Sequence, residues 1–135
     1  MSYDHFVAAS ARDNIVVAVD DDFRVRESIE SLIESAGYTP LVFASAEEFL
    51  ASGKLAIASC VITDVRMPGM GGVELQRRIR AERPPLPIIF ITAHYDEGVR
   101  LQALSEGAAV FMYKPFGPVD LLSAIDRVLG APNAD

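Results

Sequence analysis

Short apolar runs alternate with segments of helical periodicity along the whole chain. The runs are rich in β-branched residues and are bounded by turn residues. This alternation is typical of repeated βαβ units, in which helices cover both faces of a parallel sheet. We therefore predict a doubly wound α/β fold with a five-stranded parallel sheet, its strands at 15–19, 39–43, 60–63, 88–91 and 109–113.

The segments between these runs predict five helices. Apolar residues recur at helical spacing in 23–36, 46–51 and 96–105, in a segment that begins near Val73 and ends before Pro84, and in 121–129. Asp22 is the predicted N-cap of the first helix, and Gly37 ends that helix. Pro40 lacks an amide donor, which favours an edge position for the second strand.

Length and composition indicate a single domain. The chain has 135 residues, half of them hydrophobic, which is enough for one core. We expect a domain over 14–130, a flexible N-terminal extension at 1–13, and a tail or the start of a linker at 131–135. No apolar run reaches membrane-spanning length, and the sole cysteine, Cys60, lies in an apolar strand, where it fills core volume. These features predict a cytoplasmic protein that does not associate with membranes.

The chain is acidic, with a formal net charge of -7. A surface of this charge repels nucleic-acid phosphates and suits a protein partner or a bound cation. We therefore expect no direct nucleic-acid binding by this chain.

Polar side chains follow four of the predicted strands, at the point where each strand ends. Asp20 and Asp21 follow the first strand, Asp64 the third, Thr92 the fourth and Lys114 the fifth. The C-terminal ends of parallel strands line the crevice in which open α/β sheets bind ligands. Carboxylates, a hydroxyl and an ammonium group would therefore meet there, as a metal-assisted phosphoryl site requires.

The acidic run 20–22 has two explanations. All three carboxylates can cap the following helix and favour its dipole, at about 0.3 to 1 kcal/mol each. One residue suffices as a cap, however, and like charges at one strand end repel each other unless a cation is present. Assigning Asp22 to the cap leaves Asp20 and Asp21 for a divalent ion such as Mg2+, which takes one or two carboxylates together with phosphate oxygens.

Each of the other three residues also has a structural explanation. A lone loop aspartate such as Asp64 is usually a turn former, and Thr92 can be simply the β-branched end of a strand. Lys114 can reach solvent along its aliphatic stem, yet a lysine between aromatic residues seldom serves packing. If the strand ends bring these residues into one crevice, Asp64 becomes an exposed nucleophile there, and Thr92 and Lys114 become partners for a phosphoryl group. A cis peptide at Pro115 would aim the lysine amine inward.

Four short motifs surround these residues. They are Val19-Asp20-Asp21, Thr63-Asp64-Val65-Arg66-Met67-Pro68-Gly69-Met70, Ile91-Thr92-Ala93 and Lys114-Pro115-Phe116. With them the chain closely resembles, over 14–129, the receiver domain of two-component response regulators. Its 64–70 loop is most like that of receivers from FixJ/LuxR-type regulators, which carry a helix-turn-helix output. The resemblance implies a flavodoxin-like (βα)5 fold.

The resemblance also implies a role for each acidic residue. Asp64 is the phosphoacceptor and takes its phosphoryl group from a histidine kinase or a phosphotransfer protein. Asp21, Asp64 and the backbone carbonyl of Arg66 bind Mg2+ directly, and Mn2+ can substitute for it. Asp20 assists the metal through a water.

Thr92 and Lys114 are implied to respond to the phosphoryl group. Phe111 would occupy the aromatic switch position of the family, and a core phenylalanine is the alternative explanation for it. Switching would change the surface formed by the fourth helix, the fifth strand and the fifth helix, where a partner or a second copy would dock to form a homodimer.

One departure from the family pattern concerns the loop after Asp64. The family usually carries a polar residue, often aspartate, before the last glycine of this loop, whereas this chain has Gly71-Gly72. We expect the following helix to begin with less capping and the loop to be looser.

Two alternatives to a signalling domain compete with this interpretation. Haloacid-dehalogenase-type phosphohydrolases also place an aspartate after a strand, but they need a second acid two residues further on, where this chain has Arg66. A degenerate, metal-free receiver has no support because all five polar residues are present. We therefore expect a signalling domain rather than an enzyme, either a stand-alone receiver or part of a longer transcriptional regulator.

Overall fold

The computed structural model describes residues 14–130 and contains one parallel sheet with the strand order β2-β1-β3-β4-β5. The strands are β1 Ile15–Val19, β2 Thr39–Phe43, β3 Cys60–Asp64, β4 Ile88–Thr92 and β5 Val110–Tyr113. The second strand lies at an edge, as Pro40 predicts. The extension expected at 1–13 and the tail expected at 131–135 lie outside the described residues.

One α-helix follows each strand, and the five helices together cover both faces of the sheet. They are α1 Phe23–Ser35, α2 Ala46–Ala51, α3 Gly72–Glu82, α4 Glu97–Ser105 and α5 Pro118–Leu129. Asp22 caps α1 by accepting a hydrogen bond from the amide of Arg24, and Gly37 adopts a φ of 90° after the helix. A short 3-10 helix, Lys54–Ile57, was not predicted, because a single turn leaves no repeating apolar period in the sequence.

Two apolar clusters form the core, one on each face of the sheet. The inner strands contribute alternate side chains to the two faces, so their sequences are apolar at nearly every position. One cluster joins β1, β3 and β4 to Phe49, Leu75 and Ile79. The other joins the same strands to helices α1 and α5, and Cys60 is fully buried within it.

Helix length is short throughout the described part of the chain. Between residues 14 and 130, none of the helices combines the length and the apolar character that crossing a bilayer requires.

Candidate functional site

The acidic residues converge at the C-terminal ends of β1 and β3. These strands pair in parallel with Val19 opposite Thr63, so the next residues, Asp20 and Asp64, lie side by side. Carboxylate oxygens of Asp20, Asp21 and Asp64 all lie within 4.8 Å of one another. Asp20 and Asp64 are buried, and Asp21 is exposed. The strand register therefore assembles the cluster that the positions of these residues predict.

Lys114 lies within this cluster. Its Nζ donates hydrogen bonds to Oδ2 of Asp20 at 2.9 Å and to Oδ2 of Asp64 at 2.8 Å. The lysine side chain is only 16% exposed, so it turns inward rather than reaching along the surface to solvent. The Lys114–Pro115 peptide bond is cis, as the sequence analysis proposed. One ammonium group thus joins two carboxylates that come from separate strands.

The three aspartates of the 20–22 run have different environments. Asp20 is held by its backbone as well as its side chain, because its amide donates to the carbonyl of Phe43 at 3.1 Å. Its Oδ1 accepts a hydrogen bond from the amide of Asp22 at 2.9 Å. Asp22 uses its own carboxylate as the α1 cap, which leaves the exposed Asp21 open to a ligand.

Asp64 is more enclosed than its position between a strand and a Pro/Gly-rich loop predicts. The expectation of a carboxylate exposed in the crevice was wrong, because Asp64 is only 6% exposed. The chain after β3 folds back so that the amides of Val65 and Arg66 donate to Oδ1 of Asp64, at 2.6 and 3.3 Å. Lys114 occupies the other oxygen, Oδ2. These contacts orient the carboxylate and shield it from bulk water.

Burial and pairing act in opposite directions on the charges of the site. Burial raises the pKa of the Asp20 carboxyl, although the hydrogen bonds from Asp22 and Lys114 work to lower it. Burial works to lower the pKa of Lys114, but its bonds to Asp64 and Asp20 raise it overall. The lysine therefore stays protonated, and a further cation would stabilise the charged form of Asp20.

Thr92 ends β4 next to the cluster and is 1% exposed. Its Oγ1 accepts a hydrogen bond from the amide of His94 at 3.1 Å, and its carbonyl accepts one from the amide of Lys114 at 2.8 Å. A backbone hydrogen bond just past the end of β5 thus connects the threonine to the lysine. The hydroxyl keeps its own proton to donate, since it acts as an acceptor toward His94.

Phe111 belongs to a series of aromatic rings that leads from the core to the surface. Its ring centroid lies 5.7 Å from that of Phe90 and 5.6 Å from that of Tyr113. Tyr113 in turn stacks on Tyr95 at 5.0 Å. Phe111 is partly buried and Tyr95 is 76% exposed, so a displacement of Phe111 would reach the outer surface through two ring contacts.

The loop between β3 and α3 passes very close to Asp64. A Cβ atom added to Gly72 would lie 2.1 Å from the Asp64 carbonyl oxygen, which only glycine permits. Gly71 is the N-cap of α3 and makes no side-chain cap bond, as expected from the missing polar residue. The loop is nevertheless tied, because the amide of Gly72 donates to the carbonyl of Val65 at 2.8 Å.

Two side chains that contact this region were not predicted. Arg26 donates from Nη1 to the carbonyl of Asp20 at 2.8 Å, and Glu47 accepts through Oε2 from the amide of Met70 at 2.8 Å. Glu47 lies in the first turn of α2, where acidic residues are common because they favour the helix dipole, and Arg26 is the fourth residue of α1, a helix in which arginine is an ordinary helix former. The sequence therefore contained no signal that distinguishes them.

The donor set fits a hard divalent cation. All the side-chain donors of the cluster are carboxylate oxygens, which suit Mg2+ or Mn2+ and not a soft metal. The carboxylate oxygens of Asp20 and Asp64 each accept one or two hydrogen bonds, from backbone amides or from Lys114. The Asp21 carboxylate takes no part in these bonds. The cluster thus combines two buried acids with one exposed acid, Asp21.

Comparison with known proteins gives a consistent result. A family model described as the response regulator receiver domain matches residues 16–126. The chain is 36% identical to the transcriptional regulatory protein FixJ of Bradyrhizobium diazoefficiens, over 84% of this chain and 56% of FixJ. It is 38% identical to the response regulator protein TodT of Pseudomonas putida, over 89% of this chain and 53% of TodT. The chain thus spans about half the length of these curated relatives.

Solved structures show the same architecture. The response regulator StyR has a TM-score of 0.80 at 41% identity, covering 87% of this chain and 60% of StyR. The chemotaxis protein CheY4 of Vibrio cholerae has a TM-score of 0.79 at 31% identity, covering 86% of this chain and 98% of CheY4.

Proposed function

This chain belongs to the response regulator receiver domain family of two-component signalling, and we propose that Asp64 is its phosphoacceptor. Receivers of this family carry their phosphoryl group on an aspartate. The observation that supports Asp64 most directly is its Oδ2 contact with Lys114, which also contacts Asp20. A carboxylate oriented by two amides and paired with an ammonium group is suited to attack a phosphoryl group.

The proposed donor is the phosphohistidine of a histidine kinase or of a phosphotransfer protein. An oxygen of Asp64 forms a bond to phosphorus as the phosphorus–nitrogen bond breaks, and the imidazole leaves with the electron pair. The leaving imidazole then takes up a proton from solvent. Lys114 faces Asp64 and would stabilise the negative charge on the transferring group.

Mg2+ is the proposed cofactor, and Mn2+ is a chemical substitute. Asp20, Asp21, Asp64 and the backbone carbonyl of Arg66 would hold the ion, with Asp20 acting through a water. When bound, the ion neutralises charge on the phosphoryl oxygens. The mutual proximity of the three carboxylates, within 4.8 Å, supports this assignment.

Intact-mass analysis tests the phosphoacceptor. With Mg2+ and acetyl phosphate, the protein should gain one acid-labile, hydroxylamine-sensitive phosphoryl group, and Asp64→Asn should abolish it. Asp22→Asn is the matched control, because it removes a neighbouring carboxylate that only caps α1. Labelling that persists in Asp64→Asn, or a phosphate that is stable to acid, would contradict the assignment.

We further propose that phosphorylation alters the surface of α4, β5 and α5, where a partner or a second copy docks. Moving a two-state domain from about 1:99 to 99:1 takes roughly 5.5 kcal/mol. A hydrogen bond to a charged group contributes only about 1.5 to 3 kcal/mol, so Thr92 must share this work with Lys114. Tyr95 and Leu101, 76% and 53% exposed, give this surface an apolar character.

Sedimentation of the beryllofluoride-treated protein tests the switch. Thr92→Ala and Lys114→Ala should fail to change self-association or partner affinity as the parent does. Phe111→Ala tests in the same way whether Phe111 acts as the aromatic switch residue. A Lys114→Ala variant that responds like the parent would remove the lysine from the switching mechanism.

We propose that the domain acts in signalling and does not turn over free phosphate esters. Arg66 is exposed at the position where a phosphohydrolase of the haloacid-dehalogenase type needs an acid. FixJ is named as a transcriptional regulatory protein, so a role in transcriptional regulation is the corresponding proposal for this chain. Sustained hydrolysis of p-nitrophenyl phosphate that depends on Asp64 would overturn the non-enzymatic assignment.

A further inference from the structure

We propose that Glu47 is a positioning residue that holds the 65–71 loop against α2 and thereby sets the affinity of the acidic cluster for Mg2+. This inference rests on the proposed metal site, because the same loop contains Arg66, whose carbonyl is a proposed ligand. Glu47 itself lies in the first turn of α2, and within residues 14–130 no hydrogen bond or ion pair joins its side chain to Asp20, Asp21 or Asp64.

The contact between Glu47 and the loop is close and specific. Oε2 of Glu47 accepts the amide hydrogen of Met70 at 2.8 Å. A Cβ atom at Gly69 would lie 2.5 Å from the same oxygen, so the loop backbone is pressed directly onto the carboxylate. Gly69 has a φ of 77°, which lets the chain turn there and present the next amide to Glu47.

Apart from Glu47, no side chain of the described residues donates or accepts a hydrogen bond at the backbone of 68–71, the outer part of the loop. The inner part is tied by the bond from the Gly72 amide to the Val65 carbonyl and by the buried side chain of Met67. Gly71 brings no capping side chain. Across residues 14–130, Glu47 provides the single side-chain hydrogen bond to the backbone of 68–71. This external carboxylate therefore performs the restraint that a polar residue at position 71 would otherwise supply.

Glu47 also joins the two halves of the proposed metal site. Helix α2 follows β2, and the carbonyl of Phe43 at the end of β2 accepts the amide of Asp20 at 3.1 Å. Through Glu47, this side of the site is connected to the 65–71 loop, which follows Asp64. Substitution of a residue that orients metal ligands without contacting the metal commonly lowers the affinity of the site for that metal.

Calorimetric titration of the metal-free protein with Mg2+ tests the inference. Glu47→Ala should weaken binding by about three- to tenfold, below the usual effect of residues that contact a ligand directly. Glu47→Gln should bind within about twofold of the parent, since its side-chain oxygen still accepts the Met70 amide. The conservative variant thus separates the hydrogen bond from the charge.

Glu48→Ala is the matched control. Glu48 lies one residue further along α2, carries the same charge, and accepts the amide of Ala44 rather than a loop amide. Its removal should destabilise α2 while leaving Mg2+ affinity within about twofold of the parent, because exposed charges are screened by salt. A loss in Glu48→Ala equal to that in Glu47→Ala would show that charge alone acts, and would overturn the inference.

Amide hydrogen exchange measured by NMR gives a second readout that needs no metal. Exchange at Met70 should be faster in Glu47→Ala and unchanged in Glu47→Gln. Unchanged Met70 exchange in Glu47→Ala would refute the restraint on the loop. If the parent itself failed to bind Mg2+ while Met70 exchange responded as expected, the proposed metal site would be wrong, and with it the effect of Glu47 on affinity.

Discussion

Lys114→Met should destabilise the metal-free protein at neutral pH by about 2 to 4 kcal/mol. The substitution keeps the volume of the aliphatic stem and removes the ammonium group. It leaves two carboxylates, Asp20 and Asp64, without the cation that contacts both at 2.9 Å or less. The loss therefore reports on the charge of Lys114 rather than on its packing.

The magnitude follows from the burial of the partners. Removing one member of a buried ion pair usually costs about 3 to 5 kcal/mol, because the remaining charge stays in a poorly solvated position. The Asp20 side chain is 1% exposed and that of Asp64 is 9% exposed, which places them in this class. Lys114 itself is 16% exposed, so some water reaches the site, and the expected loss shifts downward from that range to about 2 to 4 kcal/mol.

Mg2+ should reverse much of this loss. A divalent cation bound at the cluster compensates the same carboxylates, and ligand binding to the folded state adds to stability. Urea unfolding of parent and variant, with EDTA and with saturating Mg2+, measures both quantities. Lys54→Met is the control, since Lys54 is the other lysine of the chain and is exposed.

Two results would contradict the proposed role of the Lys114 charge. A Lys114→Met loss no larger than that of Lys54→Met would mean that the two carboxylate contacts contribute no net stability. A loss of the same size with EDTA and with Mg2+ would mean that the cation and the ammonium group do not compensate the same charges.

Three further predictions concern neighbouring features. Gly72→Ala should lower the free energy of unfolding by about 3 kcal/mol, the upper end of overpacking costs, because its Cβ would collide with the Asp64 carbonyl oxygen. An unchanged urea midpoint would contradict this close approach. In EDTA, the raised pKa of Asp20 means that the folded protein binds a proton more tightly than the unfolded chain. The parent should therefore gain stability relative to Asp20→Asn as pH falls from neutral toward the ordinary carboxyl range, and parallel pH profiles would exclude this linkage. Tyr38→Phe should cost about 1 to 3 kcal/mol in thermal or urea melts, because the Tyr38 hydroxyl donates to Asp126 across the fold, and a neutral result would remove that bond from the stabilising contacts.

Local sequence patterns were sufficient to predict the five strands and their arrangement in a parallel sheet. Runs such as 88–91 are apolar at every position because both faces of an inner parallel strand are covered, and that burial is a property of the strand itself. The edge position of β2 was also predictable, since Pro40 cannot donate to a second neighbour. The short helix at Lys54–Ile57 left no such pattern, because one turn is too short for a period to repeat.

The convergence of Asp20, Asp64 and Lys114 was predictable from the parallel sheet, because every parallel strand ends at the same edge. The contacts among them depend on the three-dimensional path of the chain. Lys114 reaches carboxylates that lie 94 and 50 residues away in the chain, and the enclosure of Asp64 depends on the path of the following loop. Glu47 is the extreme case, since an exposed glutamate in a first helical turn satisfies the local rules whether or not a loop amide lies beside it. Periodicity records which face of an element is buried, whereas contacts between distant loops follow from strand order, register and loop path, which no local pattern contains.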